Sequence, residues 1–85
     1  MLSNEVWKMK LIMNEYTSGD IMRIIREWSH ETQKEFGKRI GKSEATVYQY
    51  EADKVNYTME MFLHILKEYN ISITIEKNPE RPSRN

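Results

Sequence analysis

The most constraining stretch of this sequence lies between Thr32 and Glu51, where a helix is started, stopped at a glycine and followed by a second start. Thr32 and Glu35 stand as S/T-x-x-E, in which hydroxyl and carboxylate each take up one free amide of a first helical turn. Phe36 and Ile40 give that helix a buried face, and Gly37 leaves no side chain between them. Gly41 ends it, because a left-handed residue costs glycine little. Ser43 then caps a second helix whose inward positions are Val47 and Tyr50, leaving Glu44, Ala45, Tyr48 and Gln49 on the opposite side. Two short helices therefore meet at Gly41.

The flanks extend this pattern. Thr17-Ser18-Gly19-Asp20 offers turn and N-cap chemistry, and Ile21, Ile24, Ile25 and Trp28 form one apolar stripe, so a helix is predicted there, broken by Ser29-His30-Glu31. Ala52 to Asn56 reads as loop, and Thr58 caps a last helix carrying Met59, Phe62, Leu63, Ile65 and Leu66. Ile71 to Glu76 alternates strictly, β-branched residues one way and polar ones the other, which predicts a strand. Val6 to Met13 also alternates and reads as a strand, although Val6, Met9 and Met13 fit a helix as well. The expected fold is mainly α with a small β component: a single domain over 1–77 and a disordered tail over 78–85 that holds Pro79 and Pro82.

Length and composition remove whole classes of function. Eighty-five residues make one small domain, and with no cysteine there is no disulfide, thiol nucleophile or thiolate zinc site. No apolar run approaches the ~20 residues of a membrane span, and no signal peptide opens the chain, so a soluble, cytoplasmic protein is expected. Thirteen Lys and Arg balance thirteen Asp and Glu, which excludes gripping a polyanion through bulk charge. Any nucleic-acid contact must be local. His30 and His64 form no metal or triad constellation, so neither enzyme, cofactor nor metal is expected.

Two helices joined at a glycine, with a small residue where they approach, have the geometry of a helix-turn-helix. The stretch from Thr32 to Glu51 resembles the Cro and phage-repressor (XRE-like) helix-turn-helix family, matching its Thr-Gln start, small residue, turn glycine, Ser, aliphatic core residue and closing Glu. The resemblance implies a four-helix, lambda-repressor-like domain whose second motif helix enters the major groove of double-stranded DNA. It implies base contacts from Glu44, Ala45 and Gln49 with Tyr48 alongside, Gln49 suiting adenine, Ala45 a thymine methyl and Glu44 a cytosine amino group. Phosphate contacts would come from Gln33, Lys42, Ser43, Thr46 and Lys54. Arg26 and Glu51 match a structural ion pair of the family.

Between Lys34 and Lys42 four basic residues face one acidic, a local charge of +3 on a neutral chain. Three departures from the family pattern stand out: Glu31 replaces an apolar residue and is expected to be exposed, Gly37 replaces the commoner Ala at an expected cost of about 0.5 to 1 kcal/mol, and Ala52-Asp53 replaces a glycine turn. A lone strand cannot satisfy its own backbone, so the two terminal segments are expected to pair with each other or with a second copy, favouring a homodimer and an intermolecular sheet. HipB-like antitoxins and Cro-like repressors of this family end in a strand that joins a sheet across the dimer, and this C-terminal end resembles theirs. The expected function is a DNA-binding transcriptional regulator, a repressor. The alternative is a protein-interaction module on the same fold, an antitoxin or antirepressor whose partner is a toxin or another regulator.

Overall fold

A computed structural model of the chain describes residues 9–80. Four α-helices follow a short 3₁₀ turn at Met13–Glu15: α1 (Ser18–Trp28), α2 (Gln33–Ile40), α3 (Glu44–Glu51) and α4 (Met59–Glu68). Every helix starts at a hydroxyl. The side chains of Thr17, Thr32, Ser43 and Thr58 accept from the amides of Asp20, Glu35, Thr46 and Met61 at 3.0 to 3.1 Å. In α1 and α2 the cap is a full box, because Asp20 and Glu35 return a carboxylate to the cap amide.

The stops are as specific as the starts. Gly41, at φ 79°, ends α2 while the Lys42 amide donates to the Gly37 carbonyl at 2.8 Å. Asn70 does the same for α4 at φ 56°, with the Ile71 amide donating to the Leu66 carbonyl at 2.8 Å. At Gly37 the surprise is steric. A Cβ there would lie 2.5 Å from the Lys42 carbonyl oxygen and 3.2 Å from Val47 Cγ2, so this position lets α2 meet its own turn and α3 rather than merely lacking a better residue.

Helix α3 packs against both α1 and α2. The core joins Ile21, Met22 and Ile25 of α1 to Phe36, to Val47 and Tyr50 of α3, and to Phe62, Ile65 and Leu66 of α4. Met22, absent from the stripe read off the sequence, is wholly buried, whereas Ile24 and Trp28 are only half-buried. Gly19 lies inside α1 rather than in a turn before it. Met59 and Leu63, expected inward, are 64% and 43% exposed.

The expected strands and small sheet are corrected: no strand occurs among the described residues. Met9 to Ile12 is irregular and Met13 opens the 3₁₀ turn, where the Ile12 and Met13 carbonyls accept from the Glu15 and Tyr16 amides. Val6 to Lys8 and residues 81–85 of the expected tail lie outside the described residues. Ile71 to Glu76 has no regular structure, with Ile71 against the core but Ile73 and Ile75 41% and 91% exposed. A strand is defined by its ladder, and among the described residues neither segment forms one.

Candidate nucleic-acid interface

Helix α3 is clamped at its C-terminal end. Glu51 accepts from Arg26 Nε at 2.7 Å and from Arg26 Nη2 at 2.9 Å, a bidentate pair between side chains only 6% and 16% exposed. The hydrogen bond to Glu51 holds the Arg26 guanidinium above its ordinary pKa against the opposing effect of burial. Arg26 also donates to the Glu31 carbonyl at 3.0 Å, and Gln33 Nε2 donates to Glu51 Oε1 at 3.0 Å. One carboxylate thus fixes α3 to α1 and orients the first side chain of α2.

The opposite side of α3 is open. Glu44, Ala45, Tyr48 and Gln49 are all exposed, while Val47 and Tyr50 sit in the core. Spacings of one, three and one residues put the exposed set on one helical face. Lys54 holds its ammonium 5.8 Å from the Tyr48 ring centroid, within cation–π reach. Lys42 is exposed beside Gly41.

The remaining side chains assigned to phosphate are partly committed. Ser43 accepts from the Thr46 amide and donates to Thr46 Oγ1 at 2.9 Å, so its single proton is used and the Thr46 proton remains to be given outward. Gln33 is half-buried, one of its amide protons engaged by Glu51.

Two departures from the family pattern turn out to be working parts. Glu31 is half-buried, not exposed: it accepts from the Tyr69 hydroxyl at 2.6 Å and from Arg39 Nη1 at 3.0 Å. Arg39 lies 4.2 Å from the Tyr69 ring centroid and Tyr69 stacks on Phe36 at 5.4 Å, so the end of α4 is seated on α2. The hydrogen bond to Glu31 raises the Arg39 pKa, and burial, followed by Glu31, raises that of Tyr69. Arg39, although 43% exposed, is therefore engaged by Glu31 and Tyr69, leaving Lys34, Lys38 and Lys42 as the exposed cations of that segment with no ion pair among the described residues. Asp53 adopts φ 59° and sends its carboxylate to the start of α1, accepting from Thr17 Oγ1 at 2.9 Å and the Gly19 amide at 2.8 Å. A negative charge at a helix N-terminus is favourable. Neither link was visible in the sequence beyond the oddity of the residues themselves. His30 and His64 are exposed, and no group of His, Asp or Glu among the described residues could hold a metal.

Four capped helices, the second and third meeting at a left-handed glycine and the third presenting a free polar face, define a helix-turn-helix domain. The model of the helix-turn-helix family matches residues 22–75, and the chain belongs to this family, in its XRE-like form. It is 33% identical over 54 residues to antitoxin HipB of Escherichia coli (strain K12), an alignment covering 64% of this chain and 61% of the relative's length. Among solved structures it is similar to a HipB–O4 20mer complex, at a TM-score of 0.57 and 27% identity, covering 84% of this chain and all of that one. A HipA–HipB–O2–O3 complex matches at a TM-score of 0.56, again with 27% identity over 84% of this chain and all of that one. No helix among the described residues is long and apolar enough to cross a membrane.

Proposed function

We propose that this chain is a sequence-specific DNA-binding transcription regulator, a homodimeric repressor of the cytoplasm that lays α3 in the major groove. One observation carries the reading. Helix α3 is fixed on its inner side by Val47, Tyr50 and the Arg26–Glu51 clamp, while Glu44, Ala45, Tyr48 and Gln49 face solvent together. A helix that rigid, with a free polar face, suits insertion into a groove. Gln49 then bonds adenine bidentately, Ala45 meets a thymine methyl and Tyr48 lies alongside. Gln33, Lys42, Ser43, Thr46 and Lys54 hold phosphates, with Thr46 supplying the hydroxyl proton of the Ser43–Thr46 pair. The HipB–O4 20mer complex among the similar structures supports this reading.

The dimer follows from what one copy leaves uncovered. Met9, Ile12, Met59, Ile73 and Ile75 are exposed and line one open groove, an apolar surface that a second copy could cover. Pairing Ile71 to Ile75 with the same segment of a second copy supplies the missing ladder and sets two recognition helices about 34 Å apart on a palindrome. Ending the chain at Asn70 then yields monomers in sedimentation.

A second reading has its own support: zero net charge and the likeness to an antitoxin, with a HipA–HipB complex among the similar structures, fit a domain that also docks a partner protein, a toxin or another regulator. Selection of bound sites from a random duplex pool with the full chain separates the two. The regulator enriches a palindrome; a pure protein adaptor enriches nothing.

A further inference from the structure

Glu44 differs from the first-turn acids of α1 and α2, as Glu60 of α4 does, but it alone of these stands on the open face of α3. In α1 and α2 the acid stands at the third helical position and returns its carboxylate to the cap amide. Helix α3 has Thr46 there, with its acid moved to the first position. Glu44 closes no capping box, and among the described residues no Lys, Arg or His lies within ion-pair distance of it. Its carboxylate is exposed beside Ala45, on the face that carries Tyr48 and Gln49.

A carboxylate can only accept, so in the major groove it is repelled by guanine N7 and O6, adenine N7 and thymine O4. Only the exocyclic amines of cytosine and adenine donate. Beside the adenine amine lies N7, a second acceptor that a carboxylate must also face. Beside the cytosine amine lies a C–H, which is not an acceptor. Cytosine is thus the one base whose own edge offers Glu44 a donor without a neighbouring repulsion.

Resting on the DNA-binding reading above, we propose that Glu44 is a specificity-determining residue that requires an unmodified cytosine amine in each half-site, making the protein a sensor of cytosine N4 methylation. In a paired N4-methylcytosine one amino proton stays with guanine, and the methyl replaces the proton that faced the major groove. Glu44 then meets a methyl group and forfeits its only donor. Repulsion from guanine and thymine, and from N7 of adenine, makes the same residue a veto on many non-specific sites, which a chain of zero net charge can least afford to outweigh with bulk attraction.

The test uses the full chain and its selected duplex, with each cytosine of a half-site replaced in turn by N4-methylcytosine, read by fluorescence anisotropy at fixed salt. One position per half-site is expected to weaken the wild type about tenfold or more, the size of a good base contact, and to leave Glu44→Ala within about twofold. Glu44→Ala is first checked for unchanged helicity. Equal sensitivity in wild type and variant overturns the proposal, as does a wild type indifferent to every substitution while still selecting its site. A protein that selects no duplex at all contradicts the DNA-binding reading itself, and the proposal with it.

Discussion

The Tyr69 hydroxyl donates to Glu31 at 2.6 Å, joining the end of α4 to the turn before α2. Two tyrosines work this way, because Tyr57 donates to the Ser18 carbonyl at 2.6 Å, tying the loop after α3 to the start of α1. Burial, followed by the charge of Asp53, pushes the Tyr57 pKa from 10.0 to about 12, and Tyr69 is raised as well. A folded state that holds a proton more tightly than the unfolded chain loses stability as pH rises from the unfolded pKa toward the folded one. The domain should therefore weaken above pH 10.0, through about 12 for Tyr57. In urea melts across that range Tyr57→Phe flattens the alkaline loss; a variant curve parallel to wild type contradicts the assignment.

Gly37→Ala sets two effects against each other. Helix propensity favours Ala by about 0.5 to 1 kcal/mol. The added Cβ, however, lies 2.5 Å from a backbone oxygen that cannot swing aside, and overpacking of that kind costs about 1 to 3 kcal/mol. The clash wins, and the melting temperature is expected to fall by several degrees, at about 4 to 8 °C per kcal/mol for a domain of this size. A rise would mean that the turn relaxes freely.

The Arg26–Glu51 pair is nearly buried and shared with Gln33, so removing one partner strands the other. Glu51→Ala is expected to cost about 3 kcal/mol in urea unfolding, the lower end for such pairs because Arg26 keeps some solvent and its bond to the Glu31 carbonyl. A loss below about 1 kcal/mol, the range of surface pairs, would show that the clamp does not hold α3.

Much of this architecture is legible in the sequence because it is local. Thr32 and Glu35, Gly41 and Ser43 act on neighbours within a turn, and their helices begin and end where those residues dictate. What escapes is encoded between distant residues. Glu31 reads as a misplaced charge until Tyr69 and Arg39 are beside it, and Asp53 reads as a mere turn residue until its carboxylate reaches Gly19. The alternation of Ile71 to Ile75 encodes a one-sided surface, but not what lies against it, and among the described residues no strand pairs with it. On the candidate site, periodicity identifies the open face of α3 but not that Ser43 and Gln33 have already committed protons within the protein.

Gln49→Ala is expected to remove the preference between the selected operator and a scrambled duplex while leaving weak binding to both, a loss of about 1 to 3 kcal/mol confined to the operator. Equal losses on both duplexes, in competition binding at one salt concentration, would make Gln49 a general contact and not a base reader.

The central claim is that the open face of α3 enters duplex DNA, and titrating affinity against salt tests it most directly. With Lys42 and Lys54 on phosphates in each half of a dimer, the logarithm of the binding constant should fall against the logarithm of salt concentration with a slope of about −4. The selected duplex should remain far tighter than a random one throughout. A chain that binds no duplex even in dilute buffer, or binds with a flat salt dependence, contradicts the account.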